Sequence, residues 1–115
     1  MTISECYEAM GGNFSDAKAR LMTEDRIKRF ALRFIDDPSF EQLKASLEAK
    51  DYENAFRAAH TMKGVCQNLS FDRLFASVYE ISEALRGGKE LTDMALFDAV
   101  AVDYEVTVEA LKQVE

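Results

Sequence analysis

Hydrophobic residues recur at every third or fourth position along most of the chain, which is the spacing of amphipathic helices. No segment shows the strict alternation of apolar and polar residues that marks a strand. One proline and five glycines leave few positions that would interrupt long helices. The pattern near the C-terminus alternates steps of four and three, as in the seam of a helix bundle, at Phe97, Ala101, Tyr104, Val108 and Leu111.

Capping residues and helix breakers divide this pattern into segments. Pro38 should stop a helix near residues 36–37, because proline is not tolerated in a helix interior. The helix that Asp51 opens should run to about Leu69, and the following helix should end at the glycines at 87–88. The predicted N-caps, in chain order, are Ser15, Thr23, Ser39, Asp51 and Thr92.

Each predicted helix has one apolar stripe, and the connections between helices are short. Such stripes can be buried only against one another, and short connections make neighbouring helices antiparallel. We therefore predict an all-α fold, an antiparallel up-down-up-down four-helix bundle with a short N-terminal helical segment. The length predicts a single domain over residues 1–115. The aromatic residues expected in its core are Phe30, Phe34, Phe56, Phe71, Phe75 and Phe97.

The charge balance argues against two classes of partner. Fourteen basic and twenty-one acidic residues give a net charge of −7, which disfavours binding to nucleic acid and to anionic membranes. No apolar run approaches the roughly 20 residues of a membrane span. The N-terminus lacks the basic start and apolar stretch of a signal peptide, so we expect a cytoplasmic location. Cys6 and Cys66 are accordingly expected to be reduced and buried.

His60, the only histidine, is predicted to project away from the core. At about 100° per residue it lies roughly 120° or more from the centre of its helix's apolar arc. Lys63, Gly64 and Gln67 follow at three, four and seven residues, so they share one ridge with His60. Glycine inside a helix costs about 1 kcal/mol relative to alanine. Gly64 therefore indicates either close helix packing or close approach by another molecule.

These residue types suit phosphoryl transfer. An exposed imidazole changes its charge near neutral pH, so a large fraction is neutral and has a nucleophilic nitrogen. That nitrogen can attack an activated phosphoryl group, and Lys63 would offset the negative charge that arrives. Gly64, which has no side chain, would leave room for a partner's active-site loop.

The segment His-Thr-Met-Lys-Gly at residues 60–64, with Ala-Ala at 58–59 and Asn-Leu at 68–69, resembles the signature of histidine-containing phosphotransfer (HPt) domains. The usual core of that family is Ala-His-x-Leu-Lys-Gly, followed after a short spacer by Asn-Leu-Gly. The resemblance extends over most of the chain from about Phe30 to Leu85, with a C-terminal helix of fitting length.

The resemblance implies a helical bundle that accepts phosphate from a phospho-aspartate on one receiver domain and donates it to another. It implies that His60 is the phosphorylated residue, Lys63 the supporting cation and Gly64 the clearance position. We expect Arg57 and Gln67, together with Gly64, to contact the partner. The expected partners are response-regulator receiver domains, with a hybrid sensor kinase as a further candidate.

Two positions depart from the family's pattern. Ser70 stands where many members have glycine, so the turn between two helices is expected to differ in shape. On the following helix many members carry Gln or Glu, which hydrogen-bonds the imidazole, whereas the matching position here is Ser82. Serine is shorter, so Glu83, Tyr79 or a water molecule are the alternatives for orienting the His60 ring.

The chain has no glycine-rich nucleotide loop, so we expect no kinase or ATP site of its own, and its status as an enzyme stays open. We expect no cofactor or metal on this chain; the receiver would supply the aspartate and Mg²⁺. A monomer is expected. A second hypothesis is a bundle that binds receivers or partner helices without being phosphorylated. A third is a small hydrolase with His60 as general base, which would need a nucleophile or a metal beside the imidazole.

Overall fold

The helical spacing of apolar residues is realised along the whole chain. The computed structural model describes all 115 residues, and every regular element in it is helical. A 3₁₀ turn at Phe34–Asp36 separates the third helix from the fourth. The α-helices are α1 (Ile3–Met10), α2 (Phe14–Leu21), α3 (Glu24–Arg33), α4 (Ser39–Glu48), α5 (Tyr52–Leu69), α6 (Asp72–Leu85) and α7 (Ala95–Leu111).

The limits of α5 are those that the sequence predicts. The Asp51 side chain accepts a hydrogen bond from the backbone N–H of Asn54 at 3.2 Å, which caps the N-terminus. The helix ends at Leu69, because Ser70 adopts the left-handed conformation (φ 56°, ψ 41°). The predicted Thr23 cap of α3 is also confirmed, since its hydroxyl accepts from the N–H of Arg26 at 3.2 Å.

The start of α2 differs from the prediction. Asn13, rather than Ser15, is the N-cap, and its Oδ1 accepts from the N–H of Asp16 at 3.0 Å. Both residue types cap helices well. Asn13 is favoured because its own N–H donates to the carbonyl of Ser70 at 2.9 Å, a tertiary contact that fixes where the helix begins.

The predicted caps of α4 and α7 are wrong as well. Ser39 lies inside α4 and is buried, and its N–H donates to the carboxylate of Asp37 at 2.8 Å. Thr92 lies before α7, and Asp93 accepts from the N–H of Ala95 at 3.0 Å. In both places an aspartate bonds the N–H two residues on, a local turn that competes directly with a Ser or Thr cap.

Helices α4 to α7 form the predicted bundle. Helix α5 lies between α4 and α6 and packs along both, while α7 packs against α6 and α1. Only two residues connect α5 to α6, so these long packed neighbours run antiparallel. Stacked rings of Phe40 and Tyr104, with centroids 4.1 Å apart, join α4 to α7. The N-terminal segment contains the three helices α1, α2 and α3.

The core is one continuous hydrophobic cluster. Among the six phenylalanines predicted to lie in it, Phe34 and Phe71 are buried, whereas the others are only half-buried at its rim. Cys6 and Cys66 are buried and unpaired, as predicted, and burial raises the pKa of the Cys6 thiol to about 11. None of the helices combines the length and the apolarity that a bilayer span requires.

Hydrogen bonds at Leu69 and Ser70 join the N-terminal helices to the turn between α5 and α6. Its hydroxyl donates to the Asp16 carboxylate at 2.5 Å, and the phenol of Tyr7 donates to the carbonyl of Leu69 at 2.7 Å. The left-handed backbone of Ser70 is the conformation that glycine adopts readily. A glycine could therefore form the same turn, but only the serine can also donate a side-chain hydrogen bond to Asp16.

Among the wild type, Ser70→Gly and Ser70→Ala, we expect Ser70→Ala to have the lowest free energy of unfolding. Alanine keeps the left-handed strain and loses the bond to Asp16, whereas Ser70→Gly removes the strain and should be more stable than Ser70→Ala by about 1 kcal/mol. Urea unfolding of both variants measures this difference. Equal stability of the two variants would show that the turn carries no strain.

The Ser70 contact should also depend on pH. The hydroxyl of Ser70 and then Arg20 lower the pKa of the Asp16 carboxyl. A lowered pKa means that the stabilisation is complete above the unfolded-state value of about 3.9 and is lost as pH falls through the folded-state value. The deficit of Ser70→Ala relative to wild type should therefore shrink below about pH 4.

Candidate functional site

His60 projects from the outer face of α5, as the helical period predicts. Its side chain is exposed, while Ala59, Met62 and Cys66 on the opposite face are buried. The ring of Phe56, one turn earlier, lies against the imidazole with centroids 5.6 Å apart and planes inclined by 30°. The imidazole is thus supported on one side and open to solvent and to partner molecules on the other.

Lys63 lies one turn after His60 and is directed towards α6. Its ammonium nitrogen is 5.7 Å from the centroid of the Tyr79 ring, a cation–π distance. Lys63 takes part in none of the ion pairs of the structure. The ammonium of Lys63, three residues after His60 on α5, therefore lies over an aromatic ring and has no carboxylate as ion-pair partner.

Gly64 forms a bare patch of backbone beside His60. A Cβ atom built on Gly64 would have no heavy atom within 4 Å other than the local backbone. Close packing against another helix, one of the two explanations for this glycine, is therefore wrong. The space beside the Gly64 backbone is open.

The other predicted partner contacts lie on the same exposed surface. Arg57 and Gln67 are both exposed on α5. Arg57 pairs with Glu53 at 3.2 Å, but both side chains are largely exposed, so this ion pair restrains the arginine only weakly. Arg57 also lines a shallow groove between α4 and α5, together with Thr61. Both Arg57 and Gln67 are therefore accessible to a docking protein.

None of the three residues considered for orienting the imidazole is bonded to it in this structure. The hydroxyl of Ser82 is fully buried and has no hydrogen-bond partner. The carboxylate of Glu83 accepts instead from the guanidinium of Arg86 at 2.8 Å, which is the main reason that its pKa is lowered. Tyr79 contacts Lys63 rather than His60. His60 takes part in none of the ion pairs of the structure, and both thiols are buried.

Ser82→Ala is expected to stabilise the protein by about 1 kcal/mol, because a buried hydroxyl without a partner loses its hydration and gains nothing in return. Thermal unfolding of the variant and the wild type measures this change. A variant less stable than the wild type would show that the hydroxyl of Ser82 does have a partner.

Two contacts of the site were missed from the sequence. Phe56 was assigned to the core, but its ring also supports His60, and the spacing of four residues was a signal for this contact. Arg86 was not considered, although its guanidinium carbon lies 5.4 Å from the centroid of the Phe56 ring. No sequence signal indicates the second contact, because it joins two different helices.

Comparison with known proteins gives one match, to a protein family. The model of the Hpt domain family matches residues 37–114 of the 115-residue chain, a segment that contains α4 to α7 and His60. The chain therefore belongs to the Hpt domain family, whose members act in histidine phosphotransfer. Helices α1 to α3 lie outside the matched segment. Neither the curated proteins nor the solved structures gave a match.

Proposed function

We propose that this protein is a histidine phosphotransfer protein of a two-component phosphorelay. It accepts a phosphoryl group on His60 from the phospho-aspartate of one receiver domain and passes it to the aspartate of another. The observation that carries the proposal is the exposed imidazole of His60 on the rigid helix α5 of an Hpt-family bundle, with Lys63 and the bare Gly64 on the same ridge.

The transfer needs one nucleophilic nitrogen on this chain. An unprotonated nitrogen of the His60 ring attacks the phosphorus of the receiver's acyl phosphate. The N–P bond forms as the bond between phosphorus and the aspartate oxygen breaks, so the receiver regains its carboxylate. The remaining ring proton can be released to solvent, and transfer to a second receiver reverses the same bond changes.

Charge stabilisation is divided between the two proteins. Lys63 follows His60 by three residues on α5, and its positive charge attracts the phosphoryl oxygens. The receiver supplies the aspartate and the Mg²⁺ that phosphoryl transfer requires. This chain therefore contributes the acceptor nitrogen, a cation and a surface that the receiver can approach.

The exposed ridge of α5 is the proposed docking surface. Gly64 lets the receiver's loops approach the backbone, and Arg57 and Gln67 lie on either side of that approach. A monomer suffices for this chemistry, because one helix carries the acceptor and its supporting cation. A receiver domain of a response regulator is the proposed partner, and a hybrid sensor kinase that carries such a domain is a second source of phosphate.

Labelling from purified receivers tests the proposal. Each receiver of a panel is phosphorylated with radiolabelled acetyl phosphate and mixed with the protein. Label that appears on the chain, is lost in acid and survives in alkali is the expected result, since a phosphoramidate has that stability. A receiver that binds the chain without labelling it would replace the relay with the hypothesis of a non-phosphorylated interaction module.

A further inference from the structure

Tyr79 holds the side chain of Lys63 in an unusual way for a surface lysine. The ring belongs to α6 and is 43% exposed, and the ammonium nitrogen of Lys63 lies 5.7 Å from its centroid. A surface lysine otherwise samples many rotamers, at an entropic cost of up to about 2 kcal/mol when it is fixed. A ring on the neighbouring helix therefore limits where this cation can go.

Glu83, an acidic residue of α6, forms no ion pair with Lys63. The carboxylate of Glu83 is held by two hydrogen bonds from the Arg86 guanidinium, at 2.8 and 3.3 Å. The positive charge of Lys63 still acts on that carboxylate at longer range and helps to lower its pKa. Arg86 bonds both carboxylate oxygens of Glu83, and Lys63 forms no ion pair with this residue.

The geometry points to Tyr79 as a positioning residue for phosphoryl transfer: its ring holds the Lys63 ammonium beside His60 while leaving the charge free for the phosphoryl group. This inference rests on the proposed function. The face of a ring attracts a cation but carries no formal charge, so the N–H donors of the lysine stay available to phosphoryl oxygens. A carboxylate in the same place would attract the lysine more strongly and would neutralise it.

The position of Lys63 can be measured without any phosphoryl chemistry. Protons above the face of an aromatic ring are shifted upfield in NMR spectra. The ε-methylene protons of Lys63 should therefore lie upfield of those of the other lysines. Tyr79→Leu should remove that shift, and Tyr79→Phe should retain it because the ring is kept. Equal Lys63 shifts in all three proteins would show that the ring does not hold the ammonium.

The effect on transfer is measured best at equilibrium. The equilibrium distribution of label between a receiver and His60 depends on how well the phosphohistidine is stabilised, and not on how tightly the two proteins dock. Tyr79→Leu should lower the fraction on His60, with an equilibrium constant reduced about two- to fivefold, because part of the entropic cost of fixing the lysine is then incurred only on phosphorylation. Tyr79→Phe should match the wild type.

The same substitution in the Lys63→Gln background separates positioning from a merely structural role. With the cation absent, Tyr79→Leu should not change the equilibrium constant further. An equal reduction in both backgrounds would overturn the inference, because Tyr79 would then act independently of Lys63. A higher constant in Tyr79→Leu would also overturn it, because the ring would then compete with the phosphoryl group for the ammonium.

Failure of this inference can be distinguished from failure of the proposed function. If the wild-type protein takes no acid-labile label from any receiver, the proposed function fails and the inference about transfer fails with it. If the wild type is labelled and the equilibrium constant of Tyr79→Leu equals that of the wild type, only the inference is overturned.

Discussion

His60→Gln is expected to reduce labelling from a phosphorylated receiver to background while leaving the free energy of unfolding within about 0.5 kcal/mol of wild type. The amide of glutamine has no nitrogen that can attack phosphorus, so no phosphoramidate forms. The imidazole is exposed, and its one aromatic neighbour, Phe56, keeps its own place at the rim of the core. The amount of acid-labile label per chain measures the loss of labelling, and urea unfolding measures the free energy of unfolding.

The neighbouring position supplies a matched control for that substitution. Thr61 is also exposed on α5 but points about 100° away around the helix. Thr61→Gln introduces the same side chain into the same element, so it should be labelled at a rate close to wild type. Acid-labile label that persisted in His60→Gln would end the assignment of His60 as the acceptor, since the chain has no other histidine.

Gly64→Leu is expected to slow transfer from the receiver by about a hundredfold, the size of effect that a misplacement of about 1 Å produces. Its side chain would stand on the ridge that the receiver must approach. Gly64→Ala should slow transfer less and should stabilise the protein by about 0.5–1 kcal/mol, because alanine favours the helix and its Cβ meets no other atom. Transfer assays quenched at a series of times measure the slower transfer, and thermal unfolding measures the higher stability of Gly64→Ala.

The equilibrium distribution of label distinguishes a steric effect at Gly64 from an effect on the charge beside His60. Gly64→Leu should change the rate but not the final distribution of label, because it alters neither His60 nor Lys63. Ala99→Leu, an exposed small-to-large change on the outer face of α7, is the matched control and should transfer at the wild-type rate. If Gly64→Leu transferred as fast as Ala99→Leu, the receiver would not approach over Gly64.

The sequence predicted the start of a helix correctly where only one nearby side chain could cap it. Asp51 is the one capping side chain at the start of α5, and both ends of that helix were predicted correctly. The starts of α4 and α7 were misplaced because an aspartate stands near each predicted cap. Two such side chains offer the backbone hydrogen bonds of similar energy, so the sequence alone could not rank them.

The site shows the same division between local and tertiary causes. The outward direction of His60 and its ridge with Lys63 and Gly64 follow from the period of one helix. The partners of these side chains depend on another helix, so the sequence left several candidates for orienting the imidazole. Of these, Ser82 is buried without a partner and Glu83 accepts from Arg86. The contact between Lys63 and Tyr79 likewise could not be predicted, because it depends on how α6 is rotated against α5.

The sequence by itself determined that the chain is helical, where its longest helix begins and ends, and which side of that helix carries the histidine. These properties depend on interactions within a few residues along one backbone. Only the tertiary structure decided that Lys63 lies over the ring of Tyr79 and that the carboxylate of Glu83 accepts from Arg86. It also decided that nothing packs against Gly64. Those facts depend on distances between helices, and the packing of the whole core fixes such distances.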